Sequence, residues 1–334
     1  VSGPTWSIGW KNTSSTYLGL IQDDTNSPGY RTSLTKVGTG TLTLVGGIIT
    51  VSQGFENFTY STNLLEYSGS TTISNGVLAI VTPDALTLSS NVTLASSSAV
   101  LDASQMGYVD SDTGFPVTNS VFEVVSGQTL NGMGTIRGFL VTDSGSTFNV
   151  GLPGSTGQMI VTNAVTLNGT TLLKLNSTGS PTSDELISDA AITNGGNLVV
   201  TNIGGAFQGS QTFTLFNATA YVGTFSSITL PTLPSGDSWD TSKLYVNGTI
   251  SLVAPQPLSF GSIKTSGHDI VLNAVGGTPG GSVSILTTTN LLVPIIHWST
   301  LTSGHFDSNG DFNYTVTGAL ISGLPQQFYL LQVP

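Results

Sequence analysis

The chain has 334 residues, with 7 Lys and Arg against 18 Asp and Glu for a net charge of -11, and no cysteine. That balance repels phosphate backbones and anionic lipid, which argues against nucleic acid as a partner, and the lack of thiols removes disulfides, thiolate catalysis and cysteine-based zinc sites. Because 38% of residues are hydrophobic and only 7% charged, the sequence reads as a folded chain whose polar surface is built from hydroxyls and amides.

The opening stretch, VSGPTWSIGW, carries Trp6 and Trp10 in alternating register with Ile8. Two readings stand for it. It is a cap over the apolar end of a stack of strands, or an interface strand that pairs with another copy's exposed edge. Residues 1–34 are set apart as that cap or interface segment. A chain opening at Val1 is what signal-peptide removal leaves, and a boundary cut within a longer chain would look the same; a secreted protein, extracellular or on the cell surface, is expected.

From residue 35 strand patterns dominate. Leu42 and Leu44 alternate with Thr41 and Thr43, Leu78 and Ile80 follow Asn75-Gly76, and Leu86 and Leu88 alternate with Thr87. Similar runs follow in VFEVV (121–125), FLVT (139–142), MIVT (159–162), VTLNGTTLLKL (165–175), NLVVT (197–201), QTFTLF (211–216) and KLYVNGTISLV (243–253). The nearest approach to helical periodicity, SDELISDAA at 183–191, is short. Alternation at period two predicts strands with Leu, Val and Ile on one face and Thr, Ser and Asn on the other. A turn glycine followed by an alternating strand recurs in TGTLTLVGG, SNGVLAI, NGMGTIRGFLV and NGTISLV. That repetition favours a coil of stacked rungs over an antiparallel meander.

TKVGTGTLTLVGG (35–47) followed by GSTTISNGVLAI (69–80) resembles the autotransporter-associated β-strand repeat of bacterial surface and secreted proteins, with an insertion between its halves. NGMGTIRGFLVTDSGSTFNVG (131–151) and the runs down to SWDTSKLYVNGTISLV resemble the region that closes such passengers. The resemblance implies a right-handed parallel β-helix over 35–254 and no particular reaction, since one fold serves many roles. No membrane β-barrel is read after that stretch, so the resemblance does not carry self-translocation with it. Rungs of about 22 residues would number roughly ten and stack about 4.8 Å apart.

The two prolines of APQPL at 254–258 mark a linker. Beyond it LSFGSIKTSG, HDIVLNAVG, GSVSILTTT, WSTLTSGHFD, DFNYTVTG and QQFYLLQV predict six strands, a small antiparallel β-sandwich over 255–334. Trp298 and the closing FYLL resemble terminal β modules of large secreted bacterial repeat proteins. The longest apolar run, LLVPIIHW at 291–298, is too short to span a bilayer and contains Pro294, so no membrane insertion is expected.

Reactive clusters are scarce. Ser33-Leu-Thr-Lys36 spells SxxK in a segment read as loop running into strand, without the helix that motif needs. Gly38-Thr-Gly40 and Gly132-Met-Gly134 lack the third glycine and the helix of a dinucleotide fingerprint. His268, His297 and His305 are not at metal-ligand spacing. Asp23-Asp24 and Asp110-Ser-Asp112 pair without basic partners and read as solvated turns. Asp307, Asn309, Asp311 and Asn313 space oxygen side chains two apart around Gly310, as a calcium loop does. The closing bidentate Glu is missing, and Asn309-Gly310 also reads as a hairpin turn. No catalytic residue and no cofactor are expected.

The expected protein is therefore all-β, a parallel β-helix followed by a β-sandwich. Its expected role is non-catalytic and structural, on a bacterial surface, with copies of itself as partners joined head to tail into a fibre or layer. The alternatives are a monomeric adhesin or passenger that binds surface glycans, and a polysaccharide lyase or hydrolase.

Overall fold

The computed structural model describes residues 2–23, 26, 29–45, 47–53, 56–62, 65–82, 85–109, 116–207, 210–234, 237–254, 257–320 and 326–333. Strands make up nearly all of its regular structure; the described helices are the four-residue Leu244–Asn247 and the 3₁₀ turn Ile295–His297. The chain forms two units, Val1–Thr232 with Trp239–Leu252, and Leu233–Ser238 with Val253–Pro334.

The first unit is built on three parallel ladders. One runs, in order, through Ser2–Ile8, Arg31–Lys36, Ser70–Ile73, Asn91–Asp102, Thr129–Arg137, Thr147–Val150, Thr170–Leu175, Asn197–Asn202 and Ser227–Thr229. A second joins Ser15–Tyr17, Thr41–Leu44 and Gly76–Ile80 to the later halves of the two long strands, then to Gln158–Val161, Glu185–Ser188 and Phe216–Asn217. A third comprises Val121–Val124, Phe139–Thr142, Val165–Leu167, Ala191–Asn194 and Ala220–Gly223. From Val121 to Thr229, apart from Thr212–Thr214, the chain visits third, first and second ladder in a fixed rotation.

Register explains why the alternation in the sequence suits this arrangement. Leu34, Thr71, Val92, Leu130, Phe148, Thr171 and Leu198 are successive partners in the first ladder. All are fully buried. Parallel neighbours in register put like faces together, so one inward position per strand becomes a continuous buried column, apolar except for Thr71 and Thr171. On the outward side Asn131 Nδ2 donates to Asn91 Oδ1 at 2.7 Å, and Asn149 Nδ2 to Asn131 Oδ1 at 3.3 Å, a ladder of stacked amides.

Gly132 lies between these layers with φ +109, and a Cβ there would sit 1.9 Å from the Leu94 carbonyl oxygen. Only glycine combines that backbone angle with so close an approach. Gly132→Ala is expected to lower stability by about 1–3 kcal/mol, read as a shift in the urea or thermal midpoint.

Two sequence-based strands are corrected. Residues 85–88 form a turn, with Leu86 at φ 72 and buried. Gln128 Nε2 donates to the Leu86 and Ser89 carbonyls at 2.7 Å each, so a side chain takes the place of a neighbouring strand. The run 243–253 begins with the helical turn Leu244–Asn247, closed by Gly248 in the left-handed region. The reversal lets Thr249–Val253 pair antiparallel with Thr212–Thr214, and Gly248 O accepts from Leu215 N and Phe216 N. The short run 183–191 holds a strand, Glu185–Ser188. Two antiparallel hairpins precede that rotation, Gly47–Gln53 with Glu56–Thr62 and Gly107–Val109 with Pro116–Thr118. The first occupies the insertion between the two halves of the repeat-like stretch.

The second unit contains all six of its expected strands. Ser259–Ser266, Asp269–Val275 and Phe312–Val316 form one antiparallel sheet; Ser299–His305, Ser282–Thr288 and Phe328–Gln332 form another. Leu272 and Val316 from the first pack with Ile285 from the second, and Ala274 with Val283 and Phe306. The alternating faces of both sheets supply one apolar core.

Candidate functional site

The first ladder ends in two strands that have a described partner on one side only. At the start, Ser2–Ile8 pairs with Arg31–Lys36 in the register Thr5↔Ser33, Trp6↔Leu34, Ser7↔Thr35 and Ile8↔Lys36. Pro4, which lacks an amide donor, falls in the irregular step between Ser2 and Thr5, so the regular run from Thr5 to Ile8 keeps its hydrogen-bonding groups. Trp6 is 41% and Trp10 76% exposed, and Leu18 and Leu20 are exposed in the same opening segment. Trp6 meets the Tyr17 ring edge-on at 6.4 Å. Ile8 is half-buried in the strand, whereas Trp10 lies beyond it, after Gly9 at φ +117. The structure therefore places Trp6 and Ile8 on the terminal strand and Trp10 in the turn that follows.

At the other end, Ser227–Thr229 pairs with Asn197–Asn202, and Ile228, partner of Leu198, is 36% exposed. The second ladder closes differently. Phe216 takes the Gly248 carbonyl and stacks near Phe225, whose amide donates to Tyr245 Oη at 3.0 Å. Phe207, Phe213 and Trp239 form a further edge-to-face group. These rings cover apolar surface that the end of a stack would otherwise leave to water.

Charged groups in the interior are structural locks. Lys36 is buried, and its Nζ donates to the carbonyls of Val37 (2.7 Å), Gly38 (2.8 Å) and Asn75 (3.1 Å). Burial pushes its amine below the usual lysine range. With all three donors of the ammonium engaged it offers no lone pair, and Ser33 lies on the opposite, outward face of the same strand. The SxxK spelling therefore brings nothing together. Lys174 Nζ lies 2.7 Å from Asp184 Oδ2 and also donates to Val150 O. The same carboxylate accepts from Gly157 N at 2.8 Å and Lys174 N at 2.7 Å. Burial raises the Asp184 carboxyl above its ordinary value, against the opposing pull of Lys174 and the two amides.

Sequence reasoning met Lys36 only as the last letter of the SxxK spelling, not as a buried lock, and gave Lys174 no role. For Lys36 a signal existed, because it occupies an inward position two residues after Leu34. For Lys174 none existed, because its partners Val150 and Asp184 come from other segments of the chain. Asp23, half of one acidic pair, is also structural. Burial opposes its ionised form, but Ser68 Oγ at 2.6 Å, Thr32 N at 2.7 Å and Ser68 N outweigh it and hold the carboxyl below the usual range. Asp24, Asp110 and Asp112 lie outside the described residues.

The calcium-like loop is a turn. Asp307 Oδ1 accepts from Asn309 N at 2.8 Å and Asp311 N at 2.9 Å, with Gly310 at φ +79. Asn313 Oδ1 accepts from Asn273 across the sheet at 2.9 Å. The loop joins Ser299–His305 to Phe312–Val316, which belong to different sheets, so it is a crossover and not a hairpin. Asp307 spends its carboxylate on backbone amides, as Asx turns do. Among the described residues no group of three or more His, Cys, Asp or Glu is placed to share a metal. His268, His297 and His305 are exposed; His305 Nδ1 lies 3.2 Å from Gly280 O. Gly38 lies in a bend, whereas Gly132, expected in a turn, lies within the strand Thr129–Arg137; both have positive φ.

Neither the known protein families nor the curated proteins include a match to this sequence.

Proposed function

We propose that this chain is a secreted, non-catalytic structural protein of a bacterial cell surface. In this reading the three ladders wind as a right-handed parallel β-helix, the second unit is a terminal β-sandwich, and copies join head to tail into a fibre or layer. The supporting observation is the opening strand: Thr5–Ile8 is regular and, among the described residues, paired on one side only, next to exposed Trp6, Trp10, Leu18 and Leu20. Isolated strand edges of this kind are normally shielded by charge, a covering loop or a short length. Here the opening ten residues carry no charge at all.

Unlike end surfaces that fit each other generate open assemblies, because the contact does not close on itself. Sedimentation velocity and negative-stain imaging of the purified full chain test this. The expected result is end-joined particles that lengthen with concentration, and shortening or dispersal of them by Trp6→Lys with thermal stability little changed. Discrete monomers across the whole concentration range would retire the proposal and leave an adhesin or glycan-binding passenger as the better reading.

A further inference from the structure

The register of the first ladder specifies how two copies would meet, an inference that rests on the self-assembly reading above. The buried column that begins with Leu34 and continues to Leu198 has one further member at each end. Trp6 is the partner of Leu34, and Ile228 is the partner of Leu198. Every member between them is fully buried, while Trp6 is 41% and Ile228 36% exposed. Both end residues stand at the position that is buried wherever another strand follows. Their exposure reflects a missing neighbour and not a change of face.

The flanking positions tell the same story. Thr5 and Ser7 at one end, and Ser227 and Thr229 at the other, are all exposed and all carry hydroxyls. Within the ladder the column that holds Thr5 and Ser227 is filled by Ser, Thr and Asn, as in Ser33, Ser70, Asn91, Thr129, Thr147 and Thr170, whereas the column that holds Ser7 and Thr229 also takes in Leu172 and Val199. No charge stands on either terminal strand, so nothing repels a second copy there.

We propose that Ser227–Thr229 of one copy pairs in parallel with Thr5–Ser7 of the next, in the register Ser227↔Thr5, Ile228↔Trp6 and Thr229↔Ser7. The occupant of the opening edge is thus a second copy of this chain, and the apolar column passes from one molecule to the next through Ile228 and Trp6. A one-residue slip would turn Trp6 to the hydroxyl face and Ser7 to the apolar one, which makes the register selective. The contact is heterologous and can repeat without closing.

The chain has no cysteine of its own, so engineered thiols report without background. Ser7→Cys and Thr229→Cys are made as separate full-length variants, mixed, and oxidised mildly. Adjacent parallel strands lie about 4.8 Å apart, within the Cα separation a disulfide tolerates. Within one chain the intervening strands of the ladder hold the two positions far beyond that reach. Covalent dimer is expected in the mixture and not from either variant alone. Replacing Thr229→Cys by Ser227→Cys, two residues out of register, is expected to reduce the yield by about tenfold.

Assembly of the unmodified chain without any dimer from the in-register pair would overturn the register and leave self-assembly intact. Equal yields from both pairs would overturn it too. Sedimentation as monomer alone would remove the self-assembly reading and this inference together.

Discussion

Lys174→Met is expected to cost about 3–5 kcal/mol of stability at neutral pH, because it leaves Asp184 buried, charged and without its cation. Two amide donors, Gly157 N and Lys174 N, remain to the carboxylate after the substitution. They hydrogen-bond the carboxylate without neutralising its charge. The pH dependence follows from the direction of the Asp184 shift. Its carboxyl is already raised in the folded protein, and losing the lysine raises it further. A group whose folded pKa lies above its unfolded one binds more protons when folded, so stability falls as pH rises through that interval.

The variant should therefore lie closest to the parent in acid and diverge as pH increases from the ordinary carboxylate range towards neutrality. Urea unfolding of the full chain at a series of pH values reads this directly. A constant deficit across the series would mean that Asp184 is not the group responsible. Asp184→Asn together with Lys174→Met provides the contrast: with no charge left to bury, the double variant should lose its pH dependence and recover part of the deficit.

Phe148→Ala is expected to destabilise by about 3–5 kcal/mol, the range for emptying a fully buried aromatic position. Phe148 is a member of the apolar column, between Leu130 and Thr171, and is completely inaccessible to solvent. Neighbouring strands are tied into the ladder on both sides, so collapse around the cavity is restricted and the upper part of the range applies. Stacked architectures hold by nearest-neighbour contacts, so hydrogen exchange should quicken first in Thr129–Arg137, Thr147–Val150 and Thr170–Leu175. Acceleration spread evenly over both units would contradict a core organised by layers. A deficit below about 1 kcal/mol would contradict the burial itself.

The interior of the first unit shows how far a linear reading reaches. Leu42, Leu44, Leu78 and Ile80 are buried where alternation placed them, with Thr41 and Thr43 on the outer face. Lys36 stands at an equally inward position, and its type argues for water; only the convergence of three carbonyls, one of them from Asn75, makes the site tolerable for an ammonium group. The turn at 85–88 had the same leucine alternation as a strand. The carbonyls of Leu86 and of Ser89 just after it are taken by Gln128, some forty residues later in the chain, and no local pattern records that.

For Trp6, Ile8 and Trp10 the sequence left both cap and interface open, with the cap favoured. The pairing Trp6↔Leu34, with no described strand on its other side, is a fact of register. Likewise Ile228 is one hydrophobe among many until Leu198 is known to be its neighbour.

By itself, then, the sequence determined most of the strands, though not 85–88, 243–248 or the two hairpins, together with their inward and outward faces and the six strands of the second unit. Those follow from side-chain period and backbone preference, which act over a few residues. Tertiary structure alone decided which strand hydrogen-bonds to which, where a buried lysine finds its acceptors, and which edges remain single. Each of those depends on where residues tens of positions apart come to rest, because a backbone amide can be satisfied by any strand that arrives in register.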